Sequence, residues 1–167
     1  MIALHRRITT TVSARFVTYI LREDPLPQNA LGKCQCDSPE TMYTYWQRVI
    51  ATQPDHEPDK ECVVAVMLNT RLQAYAWNLV SLGTVSESSA HPREVFRPVI
   101  AAGAHAFCLM HSHPSGDPSP SQADERVTRR MVECAELLQI RMLDHIIIGT
   151  PAPGRSPYFS FREAGLV

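Results

Sequence analysis

The sequence predicts an α/β fold: a single domain built on a layered, mixed β-sheet flanked by helices. Three observations lead there. Apolar runs of strand length alternate with segments of helical periodicity along most of the 167 residues. Two such runs, 60–69 and 73–82, follow one another with no helix between them, which makes the sheet mixed rather than wholly parallel. A chain of this length buries about two thirds of its unfolded surface, enough for one real core.

Taken in order, residues 14–21 (ARFVTYIL) alternate as a strand does, and 24–37 read as a proline-containing loop. Ser38 is placed to cap a helix with Pro39 at its first position, and Tyr43, Trp46, Val49 and Ile50 give that helix an apolar face. The helical spacing of Tyr43 and Trp46 makes them packing residues rather than a stacking platform. The run 60–69 (KECVVAVMLN) and its partner 73–82 are strands, and a helix is expected near 92–102. Residues 104–110 (AHAFCLM) have the length and apolarity of a buried strand. From Gln122 the chain reads QADERVTRRMVECAELLQ, with Val127, Met131, Cys134, Ala135 and Leu138 at helical spacing. A further strand is expected at 141–148 (RMLDHIII) and an edge strand at 158–161; repeats and low-complexity tracts are absent from the sequence.

Composition excludes several classes. Sixteen basic and seventeen acidic residues leave a formal charge of −1, without the footprint of a polyanion binder. Arg126, Arg129 and Arg130 cluster, but Glu125, Glu133 and Glu136 lie among them, as on a solvated mixed-sign face. The five cysteines are scattered, with Cys62, Cys108 and Cys134 inside apolar elements, which argues for buried thiols in a reducing compartment. Cys34 and Cys36 form a close pair without a second pair at finger spacing, so a structural zinc is not assigned there. The N-terminal MIALHRRITTTV lacks a signal-peptide core and no stretch approaches a membrane span, so a soluble, cytoplasmic protein is expected.

The segment HSHPSGDPSPSQAD, 111–124, carries the chemistry. Side chains two apart on an extended chain point the same way, so His111 and His113 can converge at the end of the preceding strand. Pro114, Gly116, Pro118 and Pro120 then enforce a stiff loop, after which Ser121 opens a helix with Asp124 in its first turn. Two imidazoles and a carboxylate are a normal ligand set for catalytic zinc, with water in the fourth position. Ser121 and Asp124 are equally a helix-capping pair, and capping and catalysis can coexist. His145, within an apolar strand, reads as a core or edge histidine and is not assigned to the site.

The order His, any residue, His, seven residues, Ser, two residues, Asp matches the JAMM signature of the JAB/MPN metallopeptidase superfamily at every defined position. Together with GTVSESSAHPREVFRPVIAAGAHAF upstream and IRMLDHIIIG downstream, it resembles the RadC branch, over roughly residues 61–149. The resemblance implies a JAB/MPN, cytidine-deaminase-like fold, in which 61–167 form the JAMM-motif core and 1–60 add a strand, loop and helix to the same domain. It implies Zn²⁺ held by His111, His113 and Asp124. It further implies a general base at Glu61, the matching position in KECVVAVMLN, with Glu57 the nearest alternative. Ser121 would donate to the developing oxyanion, and Asp117, in the turn with Ser115 and Gly116, is a candidate second partner for a ligand histidine.

The reaction so implied is hydrolysis of an amide or isopeptide bond in a peptide or protein substrate by metal-activated water. A DNA-repair-associated metal-dependent nuclease or accessory protein is the alternative, and a non-catalytic MPN-type interaction module the second. Typical RadC proteins carry a helix-hairpin-helix-like region ahead of this domain. The roughly sixty residues before Glu61 show no glycine-rich hairpin, and the charge offers DNA no path, so amide hydrolysis leads.

Overall fold

A computed structural model describes residues 7–8, 21–23, 34–54, 56–83 and 90–167. Its strands are β1 (Arg7–Ile8), β2 (Leu21–Glu23), β3 (Cys62–Leu68), β4 (Ala74–Leu82), β5 (Ala106–Ser112), β6 (Arg141–Ile148) and β7 (Tyr158–Ser160). They form one sheet in the order β1-β2-β4-β3-β5-β6-β7. Among the described strands, only the β5–β6 pair is parallel. That pair needs a crossover, and helix α3 (Gln122–Leu138) supplies it. The expected mixed α/β sheet is therefore present, and its parallel step is the one that brackets the histidine motif. The strand expected at 14–21 lies outside the described residues apart from Leu21, as does most of the loop expected at 24–37.

Strands β3 and β5 are buried along their whole length because helices cover both faces of the sheet. On one face, Met42, Tyr45, Trp46, Val49 and Ile50 pack on Val64, Val66, Cys108, Met110 and Ile146. On the other, Val95, Phe96 and Val99 of α2 (Pro92–Ala101) and Met131 and Ala135 of α3 pack on Val63, Ala65, Met67, Phe107 and Leu109. Pleat alternation thus assigns odd-numbered positions of β3 and β5 to the α2/α3 face.

Three details differ from expectation for physical reasons. Ser38 caps α1 (Pro39–Tyr45) through a capping box with Thr41, but the helix continues as a π-helical turn, Trp46–Ile50. The wider turn brings Tyr45 with Trp46 and Val49 with Ile50 into the core, while Tyr43 moves aside onto Tyr158, ring centroids 5.6 Å apart. Strand β5 runs to Ser112 rather than Met110, because the β3 ladder extends to the pair Cys62 with Ser112. His111 is accordingly a sheet residue. In β6, a bulge opposite the step from Phe107 to Cys108 shifts the register, so Met142 and His145 share the α3 face while Leu143, Ile146 and Ile148 face α1.

Candidate metal centre

The site is assembled at the C-terminal end of β5, where the chain leaves the sheet and returns through the N-terminus of α3. His111 and His113 have the parity of Phe107 and Leu109 and so face α3, which presents Asp124 from its first turn. Nε2 of His111 lies 2.9 Å from Nε2 of His113 and 3.3 Å from Oδ1 of Asp124, and the His113 nitrogen lies 3.6 Å from Oδ2. His111 and Asp124 are buried, at 1% and 3% exposure. Among the described residues, these three are the group of metal-capable side chains that converge.

The hydrogen bonds around the cluster decide what it presents. Nδ1 of His113 sits 2.7 Å from the backbone carbonyl of Asp117, which can only accept, so that nitrogen carries a proton and Nε2 is the one left to take a second proton or a metal ion. The expected Asp117 contribution is therefore made by its backbone. Its carboxylate accepts instead from the Ser119 amide at 2.9 Å. Oδ2 of Asp124 accepts from the Ser121 amide at 2.7 Å and hydroxyl at 2.6 Å, which leaves Oδ1 directed at His111. Ser121 is indeed the N-cap of α3, accepting from the Asp124 amide at 3.2 Å.

Electrostatics follow from burial and proximity. Burial holds the His111 imidazole down at about 4. His113 is raised by its contact with Asp124, and the charge of Glu61 adds to that rise. Burial would lift the Asp124 carboxyl, but the contact with His113, the charge of His111 and the Ser121 bonds outweigh it and hold it well below the usual carboxylate range. A proton on His113 is the small cation this arrangement of lone pairs attracts when nothing larger is bound.

The donor set also fits a larger cation. A tetrahedral ion with bonds of about 2.0–2.1 Å needs its donors roughly 3.3 Å apart. His111 Nε2 stands 2.9 Å from the His113 nitrogen and 3.3 Å from Oδ1 of Asp124, close to that value, and the three groups offer one ligand atom each within 4.8 Å of one another. No proton need be displaced from His111 at neutral pH, whereas one held by His113 would have to leave.

Glu61 lies one residue before β3, half-buried. Continuing the β3–β5 register by one step from Cys62 and Ser112 sets it opposite His113, on the α3 face by parity. Its carbonyl is held by the Gly83 amide at 2.9 Å. Glu57 is elsewhere engaged, in an exposed 2.7 Å ion pair with Lys60. Cys36 is packed in the α1-side core. Arg126, Arg129 and Arg130 are exposed on α3, away from its buried face.

One buried group was not assigned from sequence. His145 is a core histidine, 1% exposed, yet its Nε2 lies 2.9 Å from Nδ1 of His111 and its Nδ1 lies 2.7 Å from the Thr128 hydroxyl. The polar pair of Asp144 and His145 inside an apolar run was the available signal. The bulge that turns His145 toward α3 has no counterpart in the pattern of residues.

A cluster of metal-capable side chains on a mixed α/β sheet defines the class, and comparison with known proteins gives the family. The model of the RadC-like JAB domain matches residues 36–166. The chain belongs to the RadC-like JAB domain family. It is 45% identical over 108 residues to a UPF0758 protein of Pelodictyon phaeoclathratiforme, covering 65% of this chain and 46% of the relative. It is 37% identical over 129 residues to a UPF0758 protein of Thermotoga maritima, covering 77% and 53%. A third UPF0758 protein, from Moorella thermoacetica, is 52% identical over 91 residues, covering 54% and 40%. The chain thus spans about half the length of these relatives.

Proposed function

We propose that the protein is a zinc-dependent hydrolase of metallopeptidase or isopeptidase type, acting on an amide bond in a peptide or protein. The observation that carries this reading is the convergence of two imidazole nitrogens and one carboxylate on a single point at the end of β5. His111, His113 and Asp124 would hold the ion. When bound, zinc supplies Lewis acidity that brings a water toward a pKa of about 7 and polarises a carbonyl.

The remaining steps belong to the chain. Glu61, opposite His113 in register, takes the proton of the attacking water and returns it to the leaving amine. Ser121 stands at the helix terminus beside Asp124, where its hydroxyl and the positive end of α3 favour growing negative charge. That hydroxyl has one proton, now given to Asp124 at 2.6 Å, so stabilising an oxyanion means exchanging one acceptor for the other. A single ion with a carboxylate base suits attack on a carbonyl, whereas many nucleases clamp phosphate between two metals.

The test offers a diverse peptide library and labelled single- and double-stranded DNA to zinc-loaded wild type and Glu61→Gln in parallel. The proposal expects chelator-sensitive peptide cleavage by wild type that is lost in Glu61→Gln with metal retained. Metal-dependent DNA cleavage with no peptide turned over would overturn it in favour of a nuclease.

A further inference from the structure

The proton on Nδ1 of His111 has a fixed source of direction, and it leads through the protein interior. The Thr128 hydroxyl bonds the backbone carbonyl of Asp124 at 2.7 Å, one turn back on α3. A carbonyl cannot donate, so the single hydroxyl proton is spent there. Toward His145 the oxygen must accept, which requires the proton of a neutral His145 to sit on Nδ1. Nε2 of His145 is then a bare acceptor 2.9 Å from Nδ1 of His111. His111 places its own proton on Nδ1 to meet it. Its Nε2 is left without a proton, aimed at Asp124 and His113.

Burial makes the relay binding on both rings. His145 and Thr128 are each 1% exposed, so water does not substitute for either partner. Phe161 stacks flat on His145 at 4.7 Å and 7°, which fixes the plane in which its two nitrogens point. The sequence of bonds begins at the backbone of Asp124 and ends at the nitrogen that faces the Asp124 carboxylate. One helix turn thereby orients both ligands.

We propose that His145 is a positioning residue of the metal centre, holding His111 in its Nδ1–H tautomer so that Nε2 remains a donor, with Thr128 orienting His145 in turn. Its consequence rests on the zinc reading above, but its geometry does not. Outer partners of ligand histidines typically contribute 10–100-fold to metal affinity.

The experiment has two arms. Imidazole ¹⁵N shifts are recorded on the metal-free full chain, where Nδ1–H with a bare Nε2 is expected at His145; an Nε2–H tautomer there overturns the proposal whatever the protein binds. Zinc alone is then titrated against a competing chelator. His145→Leu, matched for packing and unable to accept, is expected to weaken zinc by about 10–100-fold, and His145→Gln, whose side-chain oxygen can stand in for Nε2, to recover most of it. Thr128→Val should weaken zinc and Thr128→Ser restore it, and this pair carries the test if His145→Leu fails to fold. Wild-type affinity in folded His145→Leu, or in Thr128→Val, overturns the proposal. Failure of wild type itself to take up zinc removes the metal reading and is distinguished from these outcomes by the ¹⁵N arm.

Discussion

Ser121 serves Asp124 three ways, through its amide, its hydroxyl proton and its hydroxyl oxygen, and a single substitution separates the consequences. Ser121→Ala should cost about 1 kcal/mol of stability as a lost cap. As an oxyanion donor it should also cost roughly a hundredfold or more in turnover. Thermal midpoint and turnover per folded molecule, measured together, distinguish the two; a stability loss with unchanged turnover would leave Ser121 as a cap alone. Acid should act on zinc binding through His113. Its pKa is raised, so in the metal-free protein it holds a proton that zinc must displace, starting above pH 6.5. Affinity should therefore fall as pH falls, by about tenfold per pH unit for each proton displaced. Chelator competition at pH 8, 7 and 6 checks the sign, and constant affinity would show that His113 is not a ligand. At this scale the sequence was informative about which side chains converge and silent about how they are held. His111, His113 and Asp124 converge as their spacing implied, whereas the Asp117 carbonyl and the His145 relay depend on loop closure and a bulge.

The element that holds the site is the loop between β5 and α3, and it is pinned from the end of β6. Gly116 has φ +75°, and a Cβ there would lie 2.8 Å from the Thr150 hydroxyl oxygen. At Gly149 a Cβ would lie 2.6 Å from the Gly116 carbonyl oxygen and 2.7 Å from Pro118 Cδ. These two glycines let the backbones touch, so that the Thr150 amide bonds Gly116 at 2.8 Å and Arg155 reaches the same carbonyl at 2.9 Å. Gly149→Ala should therefore destabilise by about 1–3 kcal/mol, since the atoms it meets are backbone and ring rather than a flexible tip. It should also weaken zinc, because the displaced loop carries the carbonyl that orients His113. Denaturant unfolding with a zinc titration reads both effects; stability loss with unaltered affinity would uncouple loop from site. The proline-rich loop was legible as stiff from its composition. Its contact with Gly149 was not, because nothing local to either segment records a partner more than thirty residues away.

Across the molecule, the sheet is a frame that sets Glu61 and the histidines at the adjoining ends of the antiparallel strands β3 and β5 and Asp124 on the crossover helix. Phe107 lies at the centre of the face beneath them, edge-on to Phe96 at 5.2 Å and fully buried. Phe107→Ala should cost about 3–5 kcal/mol, measured by denaturant unfolding, and lower zinc affinity only through the unfolded fraction. The mixed sheet was legible because apolar runs, turn signals and the helix-free step from β3 to β4 are all local features. The π-helical turn was not, since its 43, 46, 49, 50 pattern also suits an ordinary helix, and core packing selects the wider turn. On the proposed reading, this frame holds a single metal ion. The most direct measurement is an anomalous-difference map at the zinc absorption edge from crystals of the zinc-replete protein. One strong peak is expected, bounded by Nε2 of His111, Nε2 of His113 and Oδ1 of Asp124. A zinc-replete crystal with no peak there, or with its peak on other residues, would contradict it.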